Sequence, residues 1–206
     1  MNDDPQFGNR LGFLFPLTYK ILGSHKHWSP SMWLPHNAIA TDIYISCWWL
    51  LELISILLLN PRFETIVIGI IVSFASFRYI DLMFVLSSIL VKGFYKKQDL
   101  VSAHRITLLV VFNAIEIMVL FAILYRGFSI LTPEIAITEP PISSFFDAMY
   151  LSVITGTSIG YGIPTPVGWL SKLLTMLEGS SIVLVVIAVI GYISNEKSKE
   201  VKRISE

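Results

Sequence analysis

Four long apolar runs decide most of what this chain can become. They cover residues 42–59, 64–91, 106–125 and 167–194. A helix crossing a bilayer core needs about 20 predominantly apolar residues, because no water is present there to satisfy backbone N–H and C=O groups. The chain has 206 residues, of which 54% are hydrophobic and 15% charged, with a mean hydropathy of +0.68. That composition leaves too little polar surface for a water-soluble domain of this size. The expected fold class is an all-α membrane protein with four transmembrane helices. The run at 64–91 is longer than a simple span and should tilt or continue into water.

The same numbers exclude several functions. Lys and Arg balance Asp and Glu at 15 each, so no global basic field invites nucleic acid. A single cysteine, Cys47, rules out an intrachain disulfide and argues against a zinc site. The start, MNDDPQFGNR, has acids before its first base and no cleavage site after a short apolar core, so it does not read as a cleaved signal peptide. The first spanning helix is expected to direct the chain to the membrane. No phosphate-binding glycine loop, nucleophile elbow or zinc motif is visible, so neither an enzyme nor a cofactor is expected.

Between the third and fourth runs the pattern changes. A loop over 126–141 carries Pro133, Pro140 and Pro141. Ser143 and Ser144 then offer N-cap hydroxyls to a helix over 145–156, too short to span and therefore re-entrant. Thr157-Ser158-Ile159-Gly160-Tyr161-Gly162 follows, and Ile163-Pro164-Thr165-Pro166 makes a rigid exit. Glycine reaches φ > 0 without steric cost, so two glycines around a tyrosine let a short backbone aim successive carbonyls one way. Four copies around an axis would make rings of oxygens that replace the hydration shell of a cation.

This stretch, with its flanking apolar runs, resembles the two-helix pore module of the potassium-channel superfamily over 106–194. Phe145-Phe146-Asp147-Ala148-Met149-Tyr150 is similar to the aromatic start of a pore helix, and Ser152-Val153-Ile154-Thr155 to its end. Gly179 falls where the family has a hinge in its inner helix. The resemblance implies a potassium-selective channel that assembles as a homotetramer, with K⁺ as permeant ion and no other cofactor. It further implies K⁺ sites at the carbonyls of Ser158, Ile159, Gly160 and Tyr161. The Ser158 hydroxyl would close the innermost site, with Thr157 as the first filter residue and Gly162 turning the chain outward. The Tyr161 ring would pack behind the filter. Three positions depart from the family: Ser158 stands for threonine, Ile163 for aspartate, and Ile154 for a residue that is acidic in some members. The carboxylate network behind the filter is therefore missing, which puts filter stability in question more than selectivity.

Lys92, Lys96, Lys97 and Arg105 crowd the 92–105 linker, and Lys197, Lys199, Lys202 and Arg203 the 195–206 tail, whereas the opposite loops hold only Arg62 and Arg126. Positive residues mark the inner side, so linker, tail and both termini are expected in the cytoplasm of a plasma or inner membrane. Residues 1–41 read as an interfacial cytoplasmic segment or as a poorly ordered tail. The pair 42–91 forms two peripheral helices, and 106–194 is the pore domain. His25, His27 and His36 are either ordinary loop residues or, less in keeping with their neighbours, metal ligands.

Glu52, Arg78, Asp81, Glu116 and Glu178 lie inside apolar runs, where each must face protein or water and find a partner. Arg78 and Asp81 share a helix face, and Arg78 could also meet Glu52 or Glu116. Glu178 could face the pore helix or the ion cavity. One arginine is too few for strong voltage gating. The expected partners are three further copies and membrane lipid; no regulatory partner or gating stimulus is indicated. Alternatives are a nonselective cation channel of the same fold, or a carrier or membrane enzyme, though no internal repeat or catalytic set supports the last two.

Overall fold

The computed structural model describes residues 38–95, 103–133, 138–160 and 162–205. They form five helices and one small antiparallel pair: α1 (Ala38–Leu58), α2 (Thr65–Tyr95), α3 (Ala103–Leu131), β1 (Thr138–Glu139), α4 (Phe145–Gly156), β2 (Thr165–Pro166) and α5 (Trp169–Ser205). Three stretches are long and apolar enough to cross a membrane: Thr65–Ser87 in α2, Val110–Leu131 in α3 and Trp169–Ile187 in α5. The fourth expected span corresponds to α1, which is helical but is not among these three.

Helix ends follow local chemistry. α1 stops just before Asn60-Pro61, where Pro61 has no N–H to continue the ladder. Phe63 N–H then bonds Asn60 O at 3.0 Å, and the Asn60 side chain accepts from Arg62 N–H at 3.1 Å, closing a short turn into α2. At the far end of α3 the expected loop over 126–141 begins late. The helix continues through Arg126 to Leu131, and Thr132 and Ser129 hydroxyls bond the carbonyls of Phe128 and Arg126. Nothing before Pro133 opposes the helix, and Gly127 sits against α2.

Helix extends into two of the polar segments. Within 92–105, α2 runs to Tyr95 and α3 starts at Ala103; residues 96–102 lie outside the described residues. Within 195–206, α5 continues to Ser205. Its Lys, Glu and Arg are good helix formers, so polarity there ends the apolar run and not the helix.

α3 is the central element. Of its spanning window 61% is buried, against 39% for α2 and 28% for α5, so the other helices pack around it. Every residue from Val119 to Arg126 is buried. α5 touches the rest through a narrow stripe, Ser171, Leu174, Glu178, Ser181 and Val185, at alternating spacings of three and four. Its opposite side, including Met176, Val183 and Ile187, is exposed. The β1–β2 pair, Thr138 opposite Pro166 and Glu139 opposite Thr165, closes the base of the loop that carries α4 and the segment after it.

Between helices in lipid there is little hydrophobic drive, so close packing of small residues carries the specificity. A Cβ on Gly127 would overlap Val72 Cγ2. Gly127→Ala should therefore lower thermal stability in detergent by about 1–2 kcal/mol despite alanine's better helix propensity. Adding Val72→Ala should recover part of that loss. A double variant that loses the sum of both singles would show that this contact does not limit the packing.

Candidate functional site

The re-entrant helix α4 starts from a complete capping box. Ser144 Oγ accepts from Asp147 N–H, and Asp147 accepts in return from Ser144 N–H at 2.9 Å. Ser143 adds its hydroxyl at 2.7 Å and its N–H at 3.1 Å. The Ser143 hydroxyl, then the Ser144 N–H, hold the Asp147 carboxyl below the usual aspartate range. The cap's contribution is thus complete above the ordinary aspartate pKa and fades as pH falls through the lowered one. Arg126 from α3 donates to Ile142 O at 2.7 Å, fixing the approach to the helix.

α4 ends at Gly156, where a Cβ would meet Met118 Cε at 2.9 Å. The chain then changes hand along its length. Thr157 has φ −87°, Ser158 φ +56° and Gly160 φ +106°. A positive φ is strained for any residue but glycine, and more so for a β-branched one, so serine suits position 158 better than threonine would. Ser158 N–H bonds Thr155 O at 3.2 Å, and Thr157 Oγ1 bonds Val153 O at 2.6 Å. Thr157, Ser158, Ile159, Gly160 and Gly162 are all exposed, Ile159 at 77%. Gly162 lies against α4, since a Cβ there would come within 2.7 Å of the Tyr150 hydroxyl. Tyr161 lies outside the described residues, as do His25, His27 and His36.

The charges inside the apolar runs fall into two buried groups. In the first, Arg78 of α2 donates from Nε to Glu116 of α3 at 2.6 Å and from its terminal nitrogen to Asp81 at 2.9 Å. That terminal nitrogen also reaches the Tyr44 hydroxyl at 3.2 Å, and Tyr44 donates to Asp81 at 3.0 Å. The guanidinium lies 4.5 Å from the centre of the Trp48 ring, a cation–π contact. Glu52, buried at 1% exposure, lies beside Glu116, but neither of its oxygens meets a donor among the described residues.

In the second group Glu178 of α5 faces α4 and α3. Its carboxylate accepts from Tyr125 at 2.9 Å and from the Ser152 hydroxyl, which also reaches Met118 O at 2.8 Å. One turn on, the hydroxyls of Tyr79 and Ser181 are 2.8 Å apart and join α2 to α5. Gly179 sits between, with open space where a Cβ would be. Tyr44, Trp48, Tyr125, Ser152 and Tyr79 were not singled out by sequence. On α1 a signal existed: Tyr44, Trp48, Glu52 and Ser55 repeat every three or four residues through an apolar run.

Residues 106–197 match the family described as Ion channel. Over that segment the chain is similar to ion-channel pore modules, potassium channels among them. A curated relative, the voltage-gated potassium channel of Aeropyrum pernix, is 36% identical over 80 residues, 37% of this chain. The present chain spans only 26% of that relative's length. No solved structure matches at a significant level. Both matches point to a channel and not to an enzyme, and the apolar helices beside the pore module make this a multi-pass membrane protein.

Removing the paired cation and removing the acid without a donor should have opposite effects. Arg78→Gln leaves Glu116 and Asp81 without their counter-charge and should cost about 3–5 kcal/mol, seen as lost yield or an early melt in detergent. Glu52→Leu removes a buried carboxyl that has no donor and should be neutral or stabilising by about 1–3 kcal/mol. Equal destabilisation by both would show that Glu52 belongs to the paired group.

Proposed function

We propose that four copies of this chain form a potassium-selective channel, with the 157–162 segment as its filter. The observation that carries this reading is the alternating backbone hand at Thr157, Ser158 and Gly160 in an exposed segment held between a short capped helix and a rigid exit. Alternation of φ lets consecutive carbonyls face one side, and four such segments would surround a dehydrated cation. The carbonyls of Ser158, Ile159, Gly160 and Tyr161 are assigned to the K⁺ sites, the Ser158 hydroxyl to the innermost one.

One chain supplies a quarter of such a pore, so the assembly is a homotetramer. The exposed apolar residues of α4 and α5, Phe146 at 84% and Met176 at 72% among them, supply the surface that neighbouring copies and lipid would cover. α1 is assigned as a fourth span. With the basic residues of 92–105 and 195–206 inside, both ends of the chain are cytoplasmic.

The Aeropyrum relative is named voltage-gated, but voltage is not the expected stimulus here. Moving one charge through the whole field is worth ~2.3 kcal/mol per 100 mV. The one arginine of α2, Arg78, is bonded to Asp81 on its own helix, which would move with it and cancel its charge, and to Glu116 on α3, a pair that displacement would break. Conductance should depend weakly on voltage.

In planar bilayers with opposed potassium and sodium, current should reverse near the potassium potential. A reversal near zero would favour a nonselective cation pathway instead. Gly160→Ala should abolish conduction while the tetramer persists, because φ +106° costs a residue with a Cβ about 1–3 kcal/mol although no neighbour blocks the space. Gly179→Ala should lower open probability and leave the reversal potential unchanged, since glycine loosens the helix at its middle. Unaltered gating in single-channel records would remove Gly179 as the bending point.

A further inference from the structure

The filter segment inherits its position from α4, and α4 is held in its second half by a side chain of the inner helix. Ser152 lies one turn before the helix end at Gly156, and its hydroxyl bonds Glu178 of α5 and Met118 O of α3. Glu178 is fully buried and is fixed on its other oxygen by Tyr125. Neighbouring positions offer no such link. Ile154 and Ile163 carry no hydrogen-bonding atoms in their side chains, and Thr155 and Thr157 spend their hydroxyls on carbonyls of α4 itself.

We propose that Glu178 is a positioning residue for ion discrimination: through Ser152 it sets where α4 presents the filter. This rests on the channel reading above. An acid on α5 is well placed for the task, because it reaches α3 and α4 at once and adjoins Gly179 in sequence. A bend of the inner helix at that glycine moves the carboxylate that holds α4. Ion discrimination therefore depends on a residue that touches no ion.

The conservative test is Glu178→Gln. The amide has one acceptor oxygen, so one of the two hydroxyls must accept from the amide nitrogen instead of donating to a carboxylate, which weakens that link. In liposome-reconstituted protein it should raise the sodium-to-potassium permeability ratio about fivefold, about 1 kcal/mol at 1.4 kcal/mol per tenfold. The ratio comes from the reversal potential and does not depend on how many channels assemble. Ser152→Ala should give a similar rise, Ser152→Thr should keep the native ratio, and the Glu178→Gln/Ser152→Ala double should be no worse than either single. Tyr79→Phe is the control, because it cuts the tie to Ser181 on the same region of α5 without touching α4.

A ratio unchanged in Ser152→Ala overturns the proposal, also where Glu178→Gln fails to assemble. An equal rise in Tyr79→Phe overturns it too, since general loosening of α5 would then be the cause. If the native protein passes no ions, the channel reading fails by itself. Amide exchange still decides the positioning role in that case: Glu178→Gln should speed exchange over 153–160 and leave α1 as it was, and unchanged protection there refutes it.

Discussion

A guanidinium inside an apolar helix bundle must be fully paired, and Arg78 meets that demand by fixing three helices at once. Its partners come from α1 (Tyr44, Trp48), from its own helix (Asp81) and from α3 (Glu116). In lipid the helices have little hydrophobic reason to choose one rotation over another. A buried ion pair supplies that choice, because turning α2 would part Arg78 and Asp81 from Glu116 and from Tyr44 and Trp48. The pair adds little net stability, since desolvating both ions offsets most of their attraction. Its value lies in making the wrong rotations expensive.

The pore module is joined to α1 and α2 by the same logic, stepped along α3. Glu116 receives Arg78, Phe121 stacks edge-on against Tyr79 with ring centres 5.0 Å apart, and Tyr125 bonds Glu178. These three α3 residues follow one another at intervals of four or five along one helix. Tyr79, next to Arg78, reaches Ser181 on the inner helix directly. α2 therefore contacts the pore through two elements, and a change in α1 or α2 has a short physical route to the turn that carries Gly179.

Much of this was legible in sequence, and the rest was hidden for definite reasons. Apolar runs located α2, α3 and α5, and the Ser143-Ser144 pair located the start of α4, because a cap and a lipid-facing run have local signatures. Helix ends were less legible. Lys and Glu close an apolar run yet favour helix, so α5 extends to Ser205 with no break where polarity begins. The Arg78–Asp81 pair could be read from its spacing of three. Its second partner could not, because Glu52 and Glu116 are both acids at membrane depth, and only the rotation of α1 and α3 decides between them. Ser152 and Tyr125 carried no signal of their own; a serine in an apolar helix most often bonds its own backbone, as Ser55 and Ser76 do here.

The filter segment brings these constraints to a point. A backbone with positive φ at Ser158 persists only where its surroundings over-determine it. Within one chain the supports stand at the two ends: α4 with its Ser152–Glu178 link before the segment, and the Gly162–Tyr150 contact with the β1–β2 pair after it. Between them Ile159 and Gly160 are exposed, and a Cβ on Gly160 would meet nothing among the described residues. Side chains of this chain thus hold the ends of the segment and leave its middle to whatever occupies the open face. Fixing the ends while leaving the middle open makes the exact placement of α4 matter, because a small tilt of that helix is passed on to the exposed carbonyl-bearing residues without any neighbouring side chain to absorb it.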